Sequence, residues 1–154
     1  MLRALLVVLF VLFAGPALAQ QSLCGVRVLE NGGPISSSAI DANGPVIFYN
    51  SAYFDGPVGA NFLRFHLAHE CGHHMNGDVA RAMQDPGGTA ARLKSIELNA
   101  DCLAARLLVK AGDVIPLQTA TTKFTAVGDK PTNAGFPTGL ERAAEITRCT
   151  ADLG

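Results

Sequence analysis

His69, Glu70, Cys71, Gly72 and His73 form an H-E-x-x-H run, and Glu97 to Asp101 reads E-L-N-A-D further along the chain. Positions i and i+4 of a helix lie one turn apart on the same face, so His69 and His73 can turn a ring nitrogen towards one metal ion. Zinc held by three protein groups keeps a fourth position open, where it lowers the pKa of a bound water to about 7. Glu70 sits beside that site, placed to take the water's proton. Glu97 and Asp101 are again i and i+4, two carboxylates on one face of an otherwise apolar stretch. Buried carboxylates are costly unless paired or metal-bound. Glu97 is therefore read as the third zinc ligand, and Asp101 as the acceptor for the second ring nitrogen of a ligating histidine.

These residues need two helices to carry them. The segment from about 59 to 76 holds Phe62, Phe65, Leu67, Ala68, Cys71 and Met75, enough to bury a helix on more than one side. Gly72 inside it would cost about 1 kcal/mol against Ala, which makes sense where another backbone must approach closely. The plainer reading is a buried helix that happens to contain two histidines. A second helix is expected from about 89 to 110, closed by Ala111-Gly112, with Ile96, Ala100, Leu103 and Leu107 as its apolar stripe. Its plainer reading is a solvated acidic face pairing with Lys94 or Arg106. His66 is three residues before His69, close to the metal face, and His74 points about 100° away from His73. Both are read as structural.

With H-E-C-G-H-H-x-x-G-D and E-L-N-A-D both present, residues 40–148 resemble the glutamate-zincins, in particular the HtpX-like metallopeptidases and their small periplasmic relatives. The resemblance implies His69, His73 and Glu97 as zinc ligands, Glu70 as catalytic base and Asp101 behind a ligand. It also implies a peptide or unfolded-protein substrate and a minimal zincin-like domain, mainly helical α+β, with a small sheet beside the active-site helix. Asn76 and Val79 exclude the third histidine of the metzincin pattern. One departure is clear: the family's downstream His, which helps stabilise the oxyanion, corresponds here to Phe136. That role would fall to Arg142, to Tyr49 or Tyr53, or to nothing.

Residues 1–19 show Arg3, an unbroken apolar run and then Ala17-Leu18-Ala19, which fits a secretory signal cleaved before Gln20. The run is too short for a good membrane span. Residues 20–154 are then a single domain, secreted or periplasmic, with no stable span. Removing Arg3 leaves 11 basic against 13 acidic side chains, a formal charge of −2, and no Lys/Arg cluster is present. That argues against a nucleic-acid partner.

Cys24, Cys71, Cys102 and Cys149 make an even count in an exported chain, which suggests two disulfides. Three pairings are open. A Cys71–Cys102 bridge would staple the two metal-bearing helices and leave Cys24–Cys149 to tie the ends. Cysteine ligation of the metal is the rival use of these thiols, though no C-x-x-C pair exists.

Elsewhere, 26–29 and 46–49 have strand character, the second strongest, either lining a cleft or buried in the core. Asn31 to Pro34 and the serines after them read as a loop. Further helices are expected at 114–126 and 138–150, the latter with Leu140, Ala143, Ala144 and Ile146 inward. The loop 128–139 between them is expected to lie over the site.

Two functions follow. One is zinc-dependent endopeptidase activity with Glu70 as general base. The other is a catalytically weak or inactive zinc-binding module that binds peptides in the manner of a chaperone.

Overall fold

The structure, a computed structural model, describes residues 22–85, 87 and 89–151. The expected signal segment, 1–19, lies outside them. The fold is mainly helical α+β: strands β1 (Arg27–Glu30), β2 (Ser36–Asp41) and β3 (Gly44–Tyr49), a short 3-10 turn (Ser51–Tyr53), then helices α1 (Gly56–Met75), α2 (Asp78–Gln84), α3 (Ala90–Lys110), α4 (Ile115–Val127) and α5 (Gly139–Ala151).

The sheet order is β1-β3-β2, with β3 parallel to β1 and antiparallel to β2. Val46 and Ile47 of β3 are fully buried, as a central strand rich in apolar and aromatic residues should be. The strand at 46–49 is thus a core strand, and it has no free edge. The serines after Pro34 form β2 rather than a loop. Asn43 and Gly44 close the hairpin, with Gly44 at φ +98° and the Asp41 carboxylate accepting from Asn43 N, so residues of weak strand propensity are held by their partner.

Helices α1 and α3 cross where Gly72 meets Ala100. A Cβ on Gly72 would stand 2.9 Å from both the Cα and the carbonyl oxygen of Ala100, so the close approach requires glycine and brings the two motifs together. The buried face of α3 is Glu97, Ala100, Asp101, Cys102, Ala104, Ala105 and Leu108. Leu103 and Leu107 are half-buried on its flank, so the expected apolar stripe is turned by about one residue. The carboxylates lie at the centre of the buried face, and Lys94 pairs with Glu141 instead.

On α5 the inward residues are Gly139, Arg142, Ala143, Ile146 and Cys149. Leu140 and Ala144 face solvent, contrary to the periodicity reading. An inward arginine and an inward cysteine displaced them, each having a buried partner to reach.

Those partners include the disulfides, Cys24–Cys71 and Cys102–Cys149, which correct the expected pairing. Because α1 and α3 touch through Gly72 and Ala100, Cys71 one residue before and Cys102 two residues after are rotated away from the contact. Cys71 turns to the sheet, packing with Val28, Ile47 and Leu67, and Cys102 turns to the four-helix core around Phe65, Leu108, Phe124 and Ile146. Each bridge spans 47 residues, for which the chain-entropy argument gives about 4 kcal/mol. No cysteine among the described residues is free to bind a metal.

Candidate metal centre

His69 and His73 stand one turn apart on α1, and Glu97 faces them from α3. His69 Nε2 lies 3.1 Å from His73 Nε2 and 3.2 Å from Glu97 Oε2, and His73 Nε2 lies 3.4 Å from Glu97 Oε1. Tetrahedral zinc with bonds of roughly 2.0–2.1 Å separates its ligand atoms by about 3.3 Å. The three side chains form a buried group that can hold a metal ion, and their spacing fits that ion.

Both rings are aimed from behind. His69 Nδ1 lies 2.9 Å from Asp101 Oδ1, and His73 Nδ1 lies 3.2 Å from Asp78 Oδ2. A carboxylate accepts, so each Nδ1 carries a hydrogen, and in the neutral ring Nε2 is left with the lone pair that a metal would take. Asp101 is the acceptor expected from the sequence; Asp78 is a second one, to which the sequence reading gave no role. Asp78 starts α2 straight after the Gly77 turn, at φ +71°, and so folds back onto His73 within five residues. The E-x-x-H-x-x-x-x-D spacing is the signal that went unread.

The electrostatics match a cation site. Burial alone would lower the pKa of His73, yet hydrogen bonds to Asp78 and Glu97 and the charges of Glu70 and Glu97 outweigh it and raise it to about 10. Burial likewise opposes protonation of His69, and Asp101 and Glu97 overcome it. Glu97 is pulled below the carboxylate range: burial would raise it, but the hydrogen bonds and charges of the two histidines prevail. A proton and a metal ion compete for these same lone pairs.

Asp101 is fully buried and held by more than His69. Arg142 of α5 reaches it with Nε at 2.7 Å and Nη2 at 2.6 Å, a two-point pair, while its guanidinium lies 4.1 Å from the Phe124 ring centre. Burial would raise the Asp101 carboxyl, but the Arg142 charge, with hydrogen bonds from Arg142 and His69, keeps it below its usual value. Arg142 therefore holds Asp101 through Nε and Nη2 while also lining the cavity beside the two histidines. Tyr53 is exposed on the 3-10 turn, and Tyr49 packs on the sheet-side cluster. Neither tyrosine lines the cavity, whereas Arg142 does, so Arg142 is the one of the three candidates that stands at the site.

Glu70 is buried beside the ligands. The cavity it lines, of about 340 Å³, is bounded by Ile35, by Ser36 to Ser38 of β2, by His66, His69 and His73 of α1, by Asp78, Val79 and Ala82 of α2, by Leu93, Ile96 and Glu97 of α3, by Phe136 and by Arg142 of α5. Phe136 brings the 128–139 loop to the site, as expected. Ser36 Oγ donates to Glu70 Oε1 at 2.7 Å and Ser38 Oγ to Oε2 at 2.5 Å. Sequence reasoning missed both serines because it read them as loop. The alternation of Ser36 and Ser38 ahead of a tight Asn-Gly turn was the available signal. His66 joins the wall through Ser36, whereas His74 is structural, its Nε2 lying 3.1 Å from the Val46 carbonyl. No protein-family model, curated protein or solved structure matches the chain.

Proposed function

We propose that this chain is a small zinc endopeptidase that acts on extended or unfolded polypeptide in an exported, oxidising compartment. The observation that carries the reading is the 3.1–3.4 Å triangle of His69, His73 and Glu97 with Glu70 in the same cavity. The glutamate-zincin resemblance points the same way.

When bound, zinc would supply a Lewis acid and a water of pKa about 7. His69, His73 and Glu97 would hold it, and Asp101 and Asp78 keep both imidazoles in the tautomer that offers Nε2. Glu70 takes the proton of the attacking water and hands it to the leaving nitrogen. Positioned acid-base help of this kind is worth roughly 10²- to 10⁴-fold in rate.

The sheet edge supports a peptide substrate. Asn50 N donates to Ile35 O, which puts alternate residues 35, 37 and 39 in register to bond β3. The backbone groups of Ser36, Ser38 and Ile40 then face away from β3 at the open edge. An extended peptide can add there as a further strand, with its side chains against Ile35, Leu93, Ile96 and Phe136. The two disulfides favour an oxidising compartment.

Replacing Glu70 by Gln preserves shape and removes the base. The Glu70→Gln protein is expected to keep its zinc and lose casein hydrolysis by at least about 100-fold. Hydrolysis at the wild-type rate would overturn the mechanism.

One observation favours a second reading, a zinc-binding module with a peptide groove and little catalysis. Phe136, at the position where the resemblance implies a histidine, lines the cavity with a side chain that has no donor. Loss of one oxyanion donor costs about 10²- to 10³-fold. Peptide binding of equal strength in wild type and Glu70→Gln, with no cleavage by either, would select this reading.

A further inference from the structure

We propose that Ser36 and Ser38 are positioning residues for Glu70, and that His66, in its Nδ1–H tautomer, locks Ser36 in that role. The inference rests on the reading of Glu70 as the base.

Ser36 and Ser38 are two apart on β2, so their side chains share a face. They meet the Glu70 carboxylate one hydroxyl to each oxygen. Ser38 Oγ lies 3.0 Å from the Glu70 backbone carbonyl as well, and its single proton goes to the nearer carboxylate oxygen. A carboxylate has about four acceptor sites, so two serines fix its plane and leave lone pairs for a water proton. A glutamate with free χ angles would sample several rotamers, and misplacement by about 1 Å can cost 10²-fold.

Ser36 has a single hydroxyl proton, and it goes to Glu70. Its 3.0 Å contact with His66 Nδ1 therefore requires the ring nitrogen to donate. The chain of donation runs from His66 Nδ1–H to Ser36 Oγ–H to Glu70 Oε1. In that tautomer His66 Nε2 carries a lone pair, and this nitrogen is buried without a hydrogen-bond partner. The other tautomer, or the imidazolium, would bury an unpaired N–H there. The ring is buried, which also disfavours its charged form. Phe62 meets the ring edge-on at 4.5 Å and Phe54 at 5.6 Å, so the ring is packed on its apolar side.

The test has two arms on the zinc-loaded, disulfide-bonded protein. Long-range ¹H–¹⁵N spectra of histidine-labelled protein report the His66 tautomer, assigned by its loss in His66→Asn. The Nδ1–H form is expected; an Nε2–H form would overturn the chain of donation. In kinetics on an unfolded protein substrate, Ser36→Ala with Ser38→Ala is expected to lower kcat roughly 10- to 100-fold. KM and zinc content should stay unchanged, and Ser→Thr at both positions should restore most of the rate. Unchanged kcat in the double alanine variant, with Glu70→Gln inactive, would overturn the positioning role and leave the base intact. Full activity in Glu70→Gln would instead overturn the base reading, and the positioning role with it.

Discussion

At the scale of single residues, the site is defined as much by what stands behind the ligands as by the ligands. Asp78 and Asp101 are symmetric in function, each accepting from the Nδ1 of one histidine, but they differ in setting. Asp101 is fully buried and paired with Arg142, whereas Asp78 shares its carboxylate with the largely exposed Arg81. Partners of this kind set ligand orientation and basicity, and their loss typically costs 10- to 100-fold in metal affinity. Asp78→Asn is therefore expected to weaken zinc binding by about that factor with little change in stability, as read by competition with a chromophoric chelator. An unchanged affinity would remove Asp78 from the site. Asp101 makes a poor first test, because removing one member of a buried ion pair costs about 3–5 kcal/mol and would confuse folding with binding.

Among the elements, the crossing of α1 and α3 carries the most weight, since it alone sets the distance from the two histidines to Glu97. Gly72→Ala would drive a methyl group into the Ala100 backbone. Overpacking of this kind costs about 1–3 kcal/mol, and the separated helices should bind zinc more weakly. Chemical denaturation and zinc titration of the same variant check both, and wild-type values in both would contradict the crossing. The two motif helices were legible because i, i+4 spacing is local and survives any tertiary arrangement. What was not legible was set by contacts distant in sequence. β2 exists because β3 pairs with it, the buried face of α3 is centred on Glu97 and Asp101 because their partners lie on α1 and α5, and the cysteines pair according to which way each helix is turned. Ser36 and Ser38 were invisible for the first of these reasons.

Taken whole, the molecule packs a small sheet and a four-helix core on opposite sides of α1, with one disulfide in each half. No helix among the described residues is long and apolar enough to cross a membrane. The buried charges give stability a definite pH dependence. Asp101 has a folded pKa below its unfolded value near 3.9, so its contribution is present above that value and is lost as pH falls through the folded one. His73 has a folded pKa raised to about 10; in metal-free protein its contribution is complete below about pH 6.5 and is lost as pH rises towards 10. Zinc needs the deprotonated rings, so the stabilisation it adds should grow over that same interval. Thermal unfolding with and without chelator, from pH 5 to 10, is expected to show the two curves diverging with rising pH; parallel curves would contradict it. The most direct measurement is calorimetric titration of zinc into chelator-stripped protein. One ion per chain is expected, with protons released on binding, and with binding abolished in His73→Ala and strongly weakened in Glu97→Ala. Absence of zinc binding in the wild type, or binding indifferent to both substitutions, would contradict the metal centre on which the proposed chemistry depends.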